Sequence, residues 1–444
     1  MAAMKLHLNI SLDSSTVTGT IERSSAAPQS SVAEIIDTMV GFDEETINAL
    51  RRMELSTLDN LPRRVKTLWD TTTTTPPRLF PAERCWVQKP PSTASLVLST
   101  LDILGDRTQP QPTIYQRGQQ AAADFDPRIA VAQLIEPDAA SPVTLIGLKL
   151  PSLPDNLFKC PLGLSTSVEP YLESGHQLLL TPKLSSSDLH IDPTDGLSIP
   201  LGTCTKIWIL FPPTPKNLSL LAKNEGRRSK TQRIGHLLEG GILLTTTSSS
   251  AIYLPVGCIH GVFTTSGGFL NALDFTTPDS IKTYPLLLAA GIDRKSSSFA
   301  EEVLGWFLDC VELGLDGQQE GEAVEAWVAA GERVREFGRG DGEWRRKAMV
   351  VWDDFLGRKG VRERVCGCGV EHGEGGFVEH FRVRHLWKKG AKAKAEAKEK
   401  EPEAEPVRGK GKRKREEVDA PVEVEEGELR RSKRARRPNT LRRA

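Results

Sequence analysis

The stretch that decides the fold is Ser187-Asp-Leu-His-Ile-Asp192, followed by Lys206-Ile-Trp-Ile-Leu-Phe-Pro-Pro213 and then by Leu254-Pro-Val-Gly-Cys-Ile-His-Gly-Val-Phe-Thr264. Along a strand, residues two apart point to the same face, so His190 and Asp192 can project together into an interior. His260, from a distant strand, would complete a set of two histidines and one carboxylate. Such a facial triad leaves coordination positions open on Fe(II) and is used by non-haem oxygenases. A lone His-x-Asp pair also occurs in ordinary loops and polar strand faces, so its neighbours carry the weight. Lys206 opens an otherwise apolar strand, and a buried ammonium must find an anion to avoid a desolvation penalty of several kcal/mol. A dicarboxylate would supply one.

Working outward, short runs rich in Val, Ile, Leu, Thr and Phe alternate with Pro, Gly, Ser and Asp clusters from about 85 to 280. Strands are expected at 143–150, 177–181, 206–211, 241–246, 251–254, 259–264 and 269–275. Many short strands at close spacing predict an all-β double-stranded β-helix, that is, a cupin-like jelly roll. Helical spacing flanks it on both sides, so the chain overall is α+β. Before it, Ile35, Ile36, Met39, Ile47, Leu50 and Met53 fall at helical intervals, with acidic residues 43–45 suiting a helix start. The stretch 70–81 reads as a linker. After it, 298–301 has capping-box spacing ahead of Val303, Leu304, Phe307, Leu308 and Val311. Amphipathic helices are also expected at 320–337 and 342–356. The organisation expected is a disordered 1–31, a helical segment and linker at 32–84, a barrel at 85–280, a helical domain at 281–360, a Cys/His segment at 361–387 and a disordered tail at 388–444.

The three blocks resemble the JmjC domain of the cupin superfamily, whose members are Fe(II)- and 2-oxoglutarate-dependent oxygenases. The resemblance runs over about residues 140–280. It implies that His190, Asp192 and His260 bind iron and that Lys206 and Ser187 hold the distal carboxylate of 2-oxoglutarate. An Asn common on the family's last barrel strand has no clear counterpart here, Asn271 and Asp274 being the candidates. The basic insert at 224–233 is also not a family constant. The chemistry implied is lysine demethylation or side-chain hydroxylation: attack on an N-methyl carbon gives an unstable hemiaminal, attack on a side-chain carbon a stable alcohol. The competing reading is a cupin-like barrel without oxidative chemistry, serving as a chromatin- or nucleic-acid-associated scaffold.

Two further features lie towards the C-terminus. Cys366-Gly-Cys368, eleven residues, His380, four residues and His385 approach the order of a small zinc finger, with Phe377 at an apolar core position. One residue between the cysteines is tight for two zinc ligands, His372 is a competing ligand, and a Gly-rich loop with incidental histidines is the alternative. The remaining Cys residues are scattered and do not form a disulfide framework.

Charge is distributed unevenly. The formal total is zero, yet residues 388–444 hold 20 basic and 12 acidic side chains, leaving +8 on the tail and −8 on the rest. The tail has no aromatic residue, and its basic clusters KRKR (412–415) and KRARR (433–437) read as a nuclear address or as charge-based nucleic-acid contacts. No apolar run approaches the roughly 18 residues of a membrane span, and residues 1–15 lack a signal-peptide pattern. The expectation is a soluble, nuclear protein with a protein substrate such as a histone.

Overall fold

The computed structural model describes residues 6–12, 16–21 and 31–387, apart from short gaps at 74, 107, 117–118, 123, 162–163, 165–175, 359, 362–363 and 371–375. Residues 388–444, and with them the expected disordered basic tail, lie outside the described residues, as does His372. The described chain is mixed α+β, and residues up to Trp387 belong to one compact unit.

Among the described residues, fifteen strands form where apolar, β-branched and aromatic residues run between Gly, Pro and Asp breakers. In chain order they are β1 (Leu6–Ser11), β2 (Thr16–Ile21), β3 (Leu55–Ser56), β4 (Arg78–Pro81), β5 (Thr113–Gln116), β6 (Gln119–Gln120), β7 (Val143–Leu148) and β8 (His176–Thr181), then β9 (Ser186–His190), β10 (Asp195–Leu201), β11 (Thr205–Phe211), β12 (Gly241–Thr246), β13 (Ser250–Leu254), β14 (Ile259–Ser266) and β15 (Gly268–Phe275). They build an eight-stranded sheet, β4-β13-β10-β15-β8-β7-β5-β6, and a five-stranded sheet, β3-β12-β11-β14-β9. All pairs are antiparallel except β3 with β12. β1 and β2 form a separate hairpin. No described strand pairs from one large sheet to the other.

Alternation along each strand sorts side chains into three clusters. Trp208, Leu210, Ile242 and Leu244 of the five-stranded sheet meet Ile252, Leu254 and Leu270 of the eight-stranded sheet in one buried cluster. Residues of opposite parity, Ile207, Ile209, Phe211 and Leu243, face the helices instead. Those of the other sheet, among them Leu178, Leu197, Ile199 and Phe269, face a third cluster.

Thirteen helices are described. α1 (Val32–Asp37), α2 (Glu44–Arg51) and α3 (Arg63–Thr72) precede the large sheets, and α4 (Thr93–Gly105) and α5 (Arg128–Ala132) line the third cluster. α6 (Pro215–Ala222) and α7 (Lys230–Ile234) interrupt the five-stranded sheet between β11 and β12. α8 (Tyr284–Ala289), α9 (Ser297–Asp316), α10 (Glu320–Ala329), α11 (Gly331–Gly340), α12 (Gly342–Gly357) and α13 (Gly376–Arg384) follow the last strand. None is long and apolar enough to cross a membrane. As expected, Asp43 caps α2, accepting from Thr46 N at 2.7 Å.

Five sequence expectations need correction. The segment 1–31 is not wholly without structure: the Leu6/Leu8/Ile10 alternation is a strand signal, and Ile10 is buried. The 70–81 stretch is not all linker, because α3 runs to Thr72 and Arg78–Pro81 becomes an edge strand on β13. The cap of α9 is Ser296, which accepts from Phe299 N, and 320–337 breaks at Ala330 into α10 and α11. The helices after 281 are not a separate domain, since Val303, Phe307, Trp327, Trp352 and Phe381 share one core with Ile207 and Phe211. Truncating a fully buried Trp such as Trp327 would cost about 3–5 kcal/mol.

Candidate metal centres

β11 and β14 present Lys206, His260 and Thr264 to the inter-sheet face. Register aligns Leu210 with His260, Trp208 with Val262 and Lys206 with Thr264, so all six share that face. β9 pairs His190 with His260 but Ser187 with Val262, which leaves one extra residue on β9. This bulge brings Ser187 to the face of His190, although strict alternation would send it to the other. Ser187 is exposed there.

The structure brings His190, Asp192 and His260 together. His260 Nε2 lies 3.4 Å from Asp192 Oδ2, His190 Nε2 lies 3.8 Å from Asp192 Oδ1, and the imidazole centroids are 4.1 Å apart. All three offer ligand atoms within 4.8 Å of one another. His260 is buried, whereas the Asp192 side chain is 48% exposed, so the group sits at a mouth rather than in a closed core.

The outer contacts set the tautomers. His190 Nδ1 donates to Asp188 O at 2.8 Å and His260 Nδ1 donates to Cys258 O at 3.0 Å. A carbonyl can only accept, so the proton sits on Nδ1 and each Nε2 keeps its lone pair for a cation. Burial, with His190 alongside, drives His260 down to about 4, which keeps it neutral at physiological pH.

Asp188 does a different job from its neighbours in the motif. Its carboxylate accepts from Lys230 N, Thr231 N and Thr231 Oγ1, so the basic insert folds back as α7 against β9. Asp195, fully buried, accepts from Tyr253 Oη, Val256 N, Thr277 N, Thr277 Oγ1 and Ser280 Oγ, tying β10 to the turn before β14 and to the residues after β15.

Lys206 is 2% exposed, and its Nζ donates to Thr181 Oγ1 at 2.5 Å and to Thr264 Oγ1 at 2.7 Å. Thr264 in turn accepts from Ser185 Oγ. No carboxylate of the described residues pairs with this ammonium, and burial lowers its pKa. No local motif singles out Thr181 and Thr264, although both end expected strands and Thr264 has the parity of His260. The two candidates on β15 separate. Asn271 lies on the face away from the histidines, fully buried, with both amide atoms lacking a described partner. Asp274 shares the face of Leu270, accepts from Gln177 Nε2 at 3.0 Å, and is pushed up to about 7 by burial and by the charge of Asp192.

The second predicted set also converges. Cys366 Sγ lies 3.4 Å from His385 Nε2, Cys368 Sγ 3.2 Å from His380 Nε2, and the two Nε2 atoms are 3.3 Å apart. Cys366, His380 and His385 are buried. Burial drives His385 down to about 4 and pushes the Cys366 thiol up. No protein family matches the chain, and no curated protein matches it significantly.

Proposed function

We propose that the chain is an Fe(II)- and 2-oxoglutarate-dependent JmjC oxygenase acting on a chromatin protein, as a histone lysine demethylase or a protein hydroxylase. In this reading the two sheets are the halves of a cupin-like jelly roll. One observation carries it: a His/Asp/His set and a buried, charge-unpaired Lys206 occupy the same inter-sheet face.

His190, Asp192 and His260 would hold the iron, which when bound supplies oxygen activation, and Asp192 offsets part of its charge. The carbonyls of Asp188 and Cys258 keep both imidazoles in the ligating tautomer. Lys206 would receive the distal carboxylate of 2-oxoglutarate, converting a desolvated ammonium into an ion pair, with Thr181 and Thr264 as neutral partners. Ser187, on the face of His190, is available to the same ligand. Trp208 and Leu210, on the same face, keep the surroundings apolar. The second cluster takes a different metal, zinc. The +8 tail supports a nuclear address and an anionic partner such as nucleic acid.

Incubating the full chain with Fe(II), 2-oxoglutarate and methylated or unmethylated histone peptides tests the reading. Loss of a methyl group or gain of one oxygen atom in a peptide is expected by mass spectrometry. An unchanged peptide set, together with no turnover of 2-oxoglutarate, would favour the inactive scaffold.

A further inference from the structure

We propose that Cys366, Cys368, His380 and His385 hold one Zn²⁺ whose task is to fasten α13 and Trp387 onto the tryptophan-lined core. The proposal shares with the functional reading only the assignment of zinc to this cluster, and it stands or falls separately from the iron site.

The geometry points to the metal and its coordination number. With Zn–S near 2.3 Å and Zn–N near 2.0–2.1 Å in a tetrahedron, two nitrogens should be about 3.3 Å apart and a sulfur and a nitrogen about 3.6 Å apart. The Nε2 atoms of His380 and His385 are 3.3 Å apart, and the two S–N distances are 3.2 and 3.4 Å. Four donors at these spacings match the four-coordinate set of a closed structural site. Binding displaces one proton from each thiol to solvent, and two thiolates neutralise the dication, so the centre carries no net charge where three of its four ligands are buried.

What the site fastens follows from its neighbours. His380 lies on α13 one residue before Phe381, whose ring is 4.5 Å from that of Trp352. His385 O accepts from Trp327 Nε1 at 3.1 Å. Two residues on, Trp387 packs edge-on against Trp327 and Trp344, with Arg345 over its ring. The cysteines lie between α12 and α13, so the metal joins that stretch to the helix that packs on the aromatic cluster.

The full chain, purified from zinc-supplemented medium, is expected to hold one zinc by metal analysis. Asp192→Ala and His372→Ala should keep it, and Cys368→Ser should lose it. Loss with His372→Ala would overturn the ligand set. Because Cys368→Ser can unfold the segment, Co²⁺ exchanged into the wild-type chain provides a second reading. Thiolate-to-cobalt charge transfer with tetrahedral d–d bands is expected; a zinc-free wild-type chain or a thiolate-free octahedral spectrum would overturn the site. Chelation should lower the thermal midpoint followed by tryptophan fluorescence, and an unchanged midpoint would overturn the fastening role.

Discussion

Lys206→Met removes one charge and almost no volume from the inter-sheet face near the start of β11, so its consequences separate two roles. If Lys206 pairs with a 2-oxoglutarate carboxylate in a buried setting, losing it costs about 3–5 kcal/mol of ligand binding, more than a hundredfold in Kd. At a ligand concentration 100 times the wild-type Kd, binding stabilises the wild type by about 2.7 kcal/mol, and the variant by no more than about 0.3 kcal/mol. For a unit of 387 residues, at about 2.1 cal/mol/K per residue, this is a Tm shift of roughly 3 °C against almost none. Without ligand the sign reverses. The buried ammonium is disfavoured in the fold, so its pKa falls below the ordinary 10.5 and the unfolded chain binds more protons in that window. Wild-type stability should therefore rise with pH towards the ordinary lysine value, and the Met variant should lose that slope. Thermal-shift titrations of manganese-loaded protein measure both. An equal 2-oxoglutarate shift in wild type and variant would refute the anchoring role.

Asp274→Asn should flatten the pH dependence of the metal-free protein. Because the folded Asp274 holds its proton up to about 7, wild-type stability should fall as pH rises from about 4 to about 7, by at most about 1.4 kcal/mol per pH unit; equal slopes in denaturant titrations of the two proteins would contradict this. Gly338→Ala places a methyl group against the Trp387 ring, where a Cβ would sit 2.2 Å from Cζ2. Overpacking of about 1–3 kcal/mol should outweigh a helix-propensity gain of at most about 1 kcal/mol, and a higher Tm would show that the ring is not fixed there. Deleting 408–444 should abolish nuclear accumulation of a fluorescent fusion while leaving metal content unchanged; a fusion that still concentrates in nuclei would exclude the basic clusters as the address.

Seven strands are legible because their apolar runs are long and bounded by breakers, and each appears within a few residues of its expected span. β10 is hidden by Asp195, Gly196 and Pro200, residues that usually end strands. Pairing with β13 covers only Gly196–Ser198, so Pro200 lies where the strand has a neighbour on one side and a missing N–H is tolerated. β4 is masked by the adjoining Thr and Pro run, and β1 by composition, which outweighed a correct alternation. At the site, the residue types bring out His190, Asp192, His260 and Lys206, but the i, i+2 strand argument does not carry over, because β9 ends at His190 and Asp192 follows it outside the strand. Thr181 and Thr264 depend on which strands become neighbours, and the placing of Ser187 depends on a bulge that no local pattern announces. The four Cys/His residues are readable from spacing alone, whereas their contact with Trp327 and Trp387 is tertiary.

The most direct test of the central claim is succinate formation from 2-oxoglutarate by the purified full chain, with Fe(II) and with each histone peptide in turn, beside Asp192→Ala. The account predicts Fe(II)-dependent succinate from the wild type, raised by a substrate peptide, and none above background from the variant at unchanged zinc content and Tm. Equal succinate from both proteins, or none from an iron-loaded wild type with any peptide, would contradict it.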